Sequence, residues 1–292
     1  MKILISVISI LLGFTAAAQD TSGDLQAYQF FSPSGEKISF SAAIDLMAEH
    51  EVVLFGEHHD HAMIHWLQLK TAQALSEKKP LVMGGEIFET DNQLLLDEYI
   101  AGLVNDKRFE AEVKLWPNYV TDYKPLLQFA RERGYPFIGT NVPRRYAALV
   151  SQQGLDTLSR LSPEAQALLP RLPIAFSMET PGYPEMMEMM HGGGMGQNFD
   201  PENFVKAQAI KDATMASRIL ESSKAKSIFL HINGDYHSAD FGGIYWYMKK
   251  AQKNLKICTV KIVTADEFNF QSEWEGSGSL ILLVPEDFTR TH

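Results

Sequence analysis

Apolar residues recur in two rhythms along this 292-residue chain. Short, largely apolar runs at 52–55, 81–83, 137–141, 228–232, 256–263 and 280–284 have the length and composition of buried strands. Between them, residues 60–79 place Met63, Ile64, Leu67, Ala72 and Leu75 at helical spacing until Pro80 stops the run. Similar spacing predicts helices over 41–50, 93–104, 124–133 and 201–222. Strands alternating with helices of this length predict an α/β fold, a mostly parallel sheet flanked by helices. Right-handed crossovers then bring the carboxyl ends of the strands to one edge, where such folds keep their chemistry. Ahead of the sheet, residues 28–31 and 37–40 flank Ser32-Pro33-Ser34-Gly35 as a hairpin.

The stretch over about 142–203 breaks the alternation. It offers helical pieces, such as Ser162-Pro163-Glu164 with its serine cap and first-turn proline, and no strand. A smaller helical insertion capping the carboxyl edge of the sheet is the expected arrangement. At the amino end Lys2, an apolar core over 3–14 and Ala16-Ala17-Ala18 make an export signal over 1–18. Residues 19–292 are then a single domain, periplasmic or secreted, soluble, and without a lipid-attachment cysteine after the small residues.

Charge and cysteine content narrow the classes further. A formal net charge of -10 argues against a nucleic-acid partner held through its phosphates. The single cysteine, Cys258, lies inside a strand-like run, where a small buried apolar role is the default. It admits no internal disulfide.

Candidate chemistry gathers where strands end. Gly56-Glu57-His58-His59 closes the first strand, and Gly234-Asp235-Tyr236-His237 closes the fourth. Gly84-Gly85-Glu86 sets a carboxylate at the end of another. Imidazole and carboxylate together suit a divalent ion or an acid–base pair. His61 and His65, four apart on a helix without an HExxH word, read as surface residues. Asn141-Val142-Pro143-Arg144 supplies an arginine at a strand end, able to anchor a carboxylate or propionate. Met186, Met187, Met189, Met190, His191 and Met195 are soft donors that would hold copper or, as methionines at helical spacing, fill an irregular interface.

Together with Tyr123-Lys124-Pro125-Leu126-Leu127 and Gln208-Ala209-Ile210-Lys211-Asp212-Ala213-Thr214-Met215-Ala216, these words resemble the ChaN-like haem-binding uptake family. That family lies within the Tiki and erythromycin-esterase superfamily. The resemblance covers about 39–263 and implies an exported protein of haem and iron acquisition. It further implies a tyrosine on the haem iron, a homodimer enclosing paired haems, and an outer-membrane haem receptor as partner. The matching tyrosine is Tyr183, with Met186, Met187 and Met190 against the porphyrin and Arg144 as the carboxylate anchor. Enzymes of the superfamily use two GxxH words with a strand-end glutamate. Carried over, Glu57, His59, Glu86 and His237 form the catalytic set of a metal-dependent hydrolase, peptidase or esterase. His59, Glu86 and His237 would then hold manganese, cobalt or zinc.

Overall fold

A computed structural model describes residues 26–192 and 200–292. The export signal expected over 1–18 lies outside the described residues, as does Met195. Among them eight strands join in one sheet: β1 (Gln29–Phe31), β2 (Lys37–Ile38), β3 (Val52–Glu57), β4 (Leu81–Glu89), β5 (Phe137–Asn141), β6 (Ile228–Gly234), β7 (Ile257–Thr264) and β8 (Leu280–Val284). Their order across the sheet is β2-β1-β8-β7-β3-β6-β4-β5. Strands β3 to β8 run parallel, and the hairpin β1–β2 adds antiparallel to the β8 edge. The helices are α1 (Phe40–Ala48), α2 (Ala62–Ser76), α3 (Gln93–Ile100), α4 (Asp106–Glu112), α5 (Lys124–Arg133), α6 (Arg144–Gln153), α7 (Pro163–Gln166), α8 (Tyr183–Gly192), α9 (Pro201–Ser222) and α10 (Gly243–Ala251).

Strand alternation sorts the core into two layers. Val53, Phe55, Leu230 and Ile232 pack with Ile64 and Leu67 of α2 and Leu126 and Leu127 of α5. Val52, Leu54, Val82 and Phe229 meet Met215, Ala216 and Ile219 of α9 and Ile244 and Met248 of α10 on the opposite face. Two local devices fix where helices begin and end. Asp200 caps α9 by accepting from Glu202 and Asn203 N–H groups, with Pro201 in the first turn. The helix expected over 93–104 instead stops at Ile100, because Gly102 turns left-handed and Asn105 caps a separate helix, α4.

Loops from neighbouring β3 and β6 leave to opposite faces, into α2 and α10, so a crevice opens between their carboxyl ends. A second opening lies between β3 and β7. Their ladder ends at Phe55 and Val260, while β3 continues to Glu57 beside β6, and β7 continues to Thr264 beside β8. Asp235 enters this split and accepts the Ile262 N–H at 2.9 Å. Gly56 is obligatory there, since a Cβ would stand 2.4 Å from Asp235 Oδ1 and 2.8 Å from the Val260 carbonyl oxygen. Gly56→Ala is expected to cost about 1–3 kcal/mol by overpacking. An unchanged urea midpoint would show that the contact is relieved without penalty.

Candidate functional site

Two carboxylates leave the sheet toward different layers. Glu57 follows Val53 and Phe55 in the alternation and turns toward α2 and α5, whereas Glu86 follows Val82 and turns toward α9. Glu57 is buried and acts only as acceptor. Tyr123 O–H donates to its Oε1 at 2.5 Å, Gln68 Nε2 to its Oε2 at 2.8 Å, and His59 Nδ1 to Oε1 at 2.8 Å. Burial alone would raise this carboxyl, but His65, His59 and Tyr123 outweigh it and hold it below the usual range. His59 in turn is raised, its burial overcome by Glu57 and Glu86. With Nδ1 fixed, its Nε2 has no partner among the described residues, and the ring stands edge-on to Trp116 at 4.7 Å.

Across the crevice, Glu86 Oε2 accepts the Gly234 N–H at 2.9 Å, and Oε1 lies 3.3 Å from His237 Nε2. Gly234 permits this approach, because a Cβ would fall 2.9 Å from the His59 ring. Asp212 of α9 completes the cluster: its Oδ1 accepts from His237 Nδ1 at 2.5 Å and its Oδ2 from the Tyr183 hydroxyl at 2.7 Å. Burial would keep His237 neutral, yet Glu86 and Asp212 push it up to about 10. Glu86, despite its burial, is held far below the usual carboxylate range by His237 and His59. Burial pushes Asp235 up to about 7, an effect that the Ile262 N–H and the Lys261 charge offset only in part. Tyr183 moves the other way from an easily ionised phenol, since burial and the Asp212 charge hold its proton on.

The sequence-predicted residues divide into those that converge and those that do not. His59, Glu86, Tyr183, Met186, Met190 and His237 line a cavity of about 420 Å³. Met189, Phe204, Gln208, Lys211, Asp212, Gly234 and Tyr236 share its walls. Tyr236, 72% exposed, also lines a neighbouring hollow of about 510 Å³ at the β3–β7 split. Met187 does not line the cavity but packs against the Tyr183, Val205 and Ala209 cluster. Glu57 stands behind His59 and lines only the neighbouring hollow.

Three expectations need correction. Arg144 is absent from the cavity wall, because its guanidinium pairs with Glu89 and its remaining reach goes to the Lys114 carbonyl. The divalent-metal site at His59, Glu86 and His237 finds no support in the geometry. Both His237 nitrogens are taken up by carboxylates, Glu86 and Asp212, and the described residues hold no group of three or more His, Cys, Asp or Glu able to bind a metal. His61 and His65 are buried rather than superficial: His61 bonds the Pro285 carbonyl and stacks on Phe288, and His65 bonds Gln68 and the His59 carbonyl. Cys258 is a buried thiol pushed up to about 12, in keeping with an inert apolar role.

Sequence reasoning missed Asp212, although its signal is in the pattern. Val205, Ala209, Asp212, Ala216 and Ile219 form one buried ridge of α9 at alternating spacings of four and three, with a carboxylate at its centre. A charge on that stripe demands a buried partner. Tyr123 and Gln68, which hold Glu57, carried no comparable signal.

An α/β protein with a ligand cavity at the topological switch point of its sheet is the class that this fold and site define. The chain belongs to the haem-binding uptake family, ChaN, of the Tiki superfamily, whose model matches residues 43–248. The structure of cofacial haem binding to ChaN of Campylobacter jejuni is similar, with a TM-score of 0.65 at 18% identity over 89% of this chain and 97% of that one. A protein from Bacillus cereus matches with a TM-score of 0.50 at 11% identity, over 87% of this chain and 93% of the other. At such identities these two likenesses show the fold alone. Comparison with curated proteins gives no match. Among the described residues no helix is long and apolar enough to cross a membrane.

Proposed function

We propose that this is an exported haem-binding protein of haem and iron acquisition, with haem lying in the cavity between α8 and α9. One observation carries the reading beyond family membership: thioether and aromatic groups, Met186, Met189, Met190 and Phe204, line the cavity together with a phenol, Tyr183. Such a lining suits a flat apolar macrocycle, and a phenolate suits ferric iron. Asp212 Oδ2 accepts the Tyr183 hydroxyl hydrogen bond and is the atom placed to take its proton when the oxygen becomes a ligand. Bound there, haem supplies iron as the cargo of uptake. The helical pieces described over 142–192 and 200–203 serve as the lid, and Tyr236 and Met189, both exposed at the cavity, form the patch that a second subunit would cover around paired haems. Delivery to or from an outer-membrane haem receptor fits an exported carrier. Titration of the purified protein with ferric haem is expected to give a tyrosinate-type spectrum that Tyr183→Phe abolishes. No spectral change at stoichiometric haem ends the reading.

A second reading rests on the Glu57–His59 pair, where an oriented imidazole keeps one nitrogen open to the cavity. It makes the protein a hydrolase of ester or peptide bonds working by acid–base chemistry, with His59 as base oriented by Glu57 and the His237–Glu86 pair as a proton source. Hydrolysis of a model ester that disappears in His59→Ala would support it; turnover unaffected by that change would dismiss it.

A further inference from the structure

The polar lining of the cavity is almost wholly engaged with itself. Glu86 is taken by Gly234 N–H and His237, and Asp212 by His237 and Tyr183. Glu57, behind His59, is taken by Tyr123, Gln68 and His59. These carboxylates therefore offer a ligand no free charge. Lys211 and Gln208, one turn apart on α9, are different. Both line the cavity. No hydrogen bond or ion pair holds the Lys211 ammonium among the described residues, and its charge is felt by Glu86. Gln208 Oε1 is buried without a hydrogen-bond partner, an unfavourable state that an incoming donor or acceptor would relieve. Amide oxygen and nitrogen are interchangeable by a flip, so the same side chain can present N–H to an incoming acceptor. An ammonium and an amide donor, sharing a cavity with apolar groups, are complementary to a carboxylate on an apolar ligand.

We propose that Lys211 and Gln208 form a carboxylate-reading pair, binding a propionate of the haem whose apolar body lies against Met186, Met189, Met190 and Phe204. This rests on the haem reading above and assigns to α9 the anchoring that Arg144, engaged with Glu89, does not perform. A lysine suits the task because its ammonium is a flexible point charge that can follow a propionate arm.

The test compares ferric haem with its dimethyl ester, in which both propionates are masked, in the same mixed solvent. Wild-type protein is expected to bind the free acid about tenfold more tightly than the diester, the scale of one partly buried charge-assisted contact. In Lys211→Gln that preference should fall to near unity while diester affinity stays within about twofold of wild type, and Lys211→Arg should restore most of it. Gln208→Leu should lose a smaller part. Melting temperatures of the variants without haem separate unfolding from lost recognition. A preference that survives in Lys211→Gln, or wild-type protein that binds acid and diester equally, overturns the assignment while leaving haem binding intact. Wild-type protein that binds neither form removes the haem reading and this pair with it.

Discussion

Asp212→Ala is expected to lower the unfolding free energy by about 3–5 kcal/mol, the cost of leaving a buried charge without its partner. Asp212 is 1% exposed and is the acceptor for both His237 and Tyr183. Truncation strands an imidazolium beside Glu86 and a phenol with no acceptor in one step. Asp212→Asn keeps an oxygen for one of the two donors and should cost less, about 1–3 kcal/mol. Urea denaturation followed by far-ultraviolet circular dichroism measures both. A loss under about 1 kcal/mol for the alanine variant would show that the cluster does not hold α9 to the sheet.

The second large effect is an alkaline loss of stability. His237 rises from 6.5 to about 10 on folding, so its contribution is complete below pH 6.5 and disappears as the pH climbs through 10. Asp235 rises from 3.8 to about 7, and its neutral form favours the fold fully below pH 3.8 and no longer above 7. Glu57 and Glu86 act oppositely, being held below 4.5, so their support exists above that value and fades as the pH falls. The urea midpoint should therefore fall from about pH 6.5 to 10, with His237 alone contributing on the order of 5 kcal/mol. Glu86→Gln removes the charge that first holds the proton on His237 and should move the alkaline fall toward neutrality. Asp235→Asn should flatten only the segment between about pH 4 and 7. A midpoint constant from pH 6.5 to 10 in the wild type would contradict the cluster's assigned charges.

Sequence periodicity resolved the long elements well. Helix α9 begins and ends at Pro201–Ser222 as its spacing predicts, and β8 matches the apolar run over 280–284. Strand β4 was longer than its apolar run suggested, because Gly84 and Gly85 read as punctuation although both lie in the ladders with β5 and β6. Glu86 is consequently not past a strand end but inside the strand, one residue beyond the β6 ladder. Convergence of His59, Glu86 and His237 was legible from parallel topology alone, since it depends on which edge the strands share. Their charge states were not, because these depend on Asp212, reached only through the packing of α9. The same holds for Arg144 and Lys211: sequence puts cations near both places, and only the fold decides which one Glu89 occupies.

The wedge of Asp235 between β3 and β7, with Gly56 beneath it, has a thermodynamic corollary. Those strands cannot zip together to their tips, so the hollow beside them stands open before any guest arrives. His59, Gly234 and Tyr236 wall both this hollow and the cavity between α8 and α9, so the same wedge shapes one side of that cavity in advance, and a guest there forfeits little free energy in reorganising its host. Uptake should then leave the far-ultraviolet dichroism nearly unchanged, with the entropy of the journey borne mainly by the guest and the displaced water.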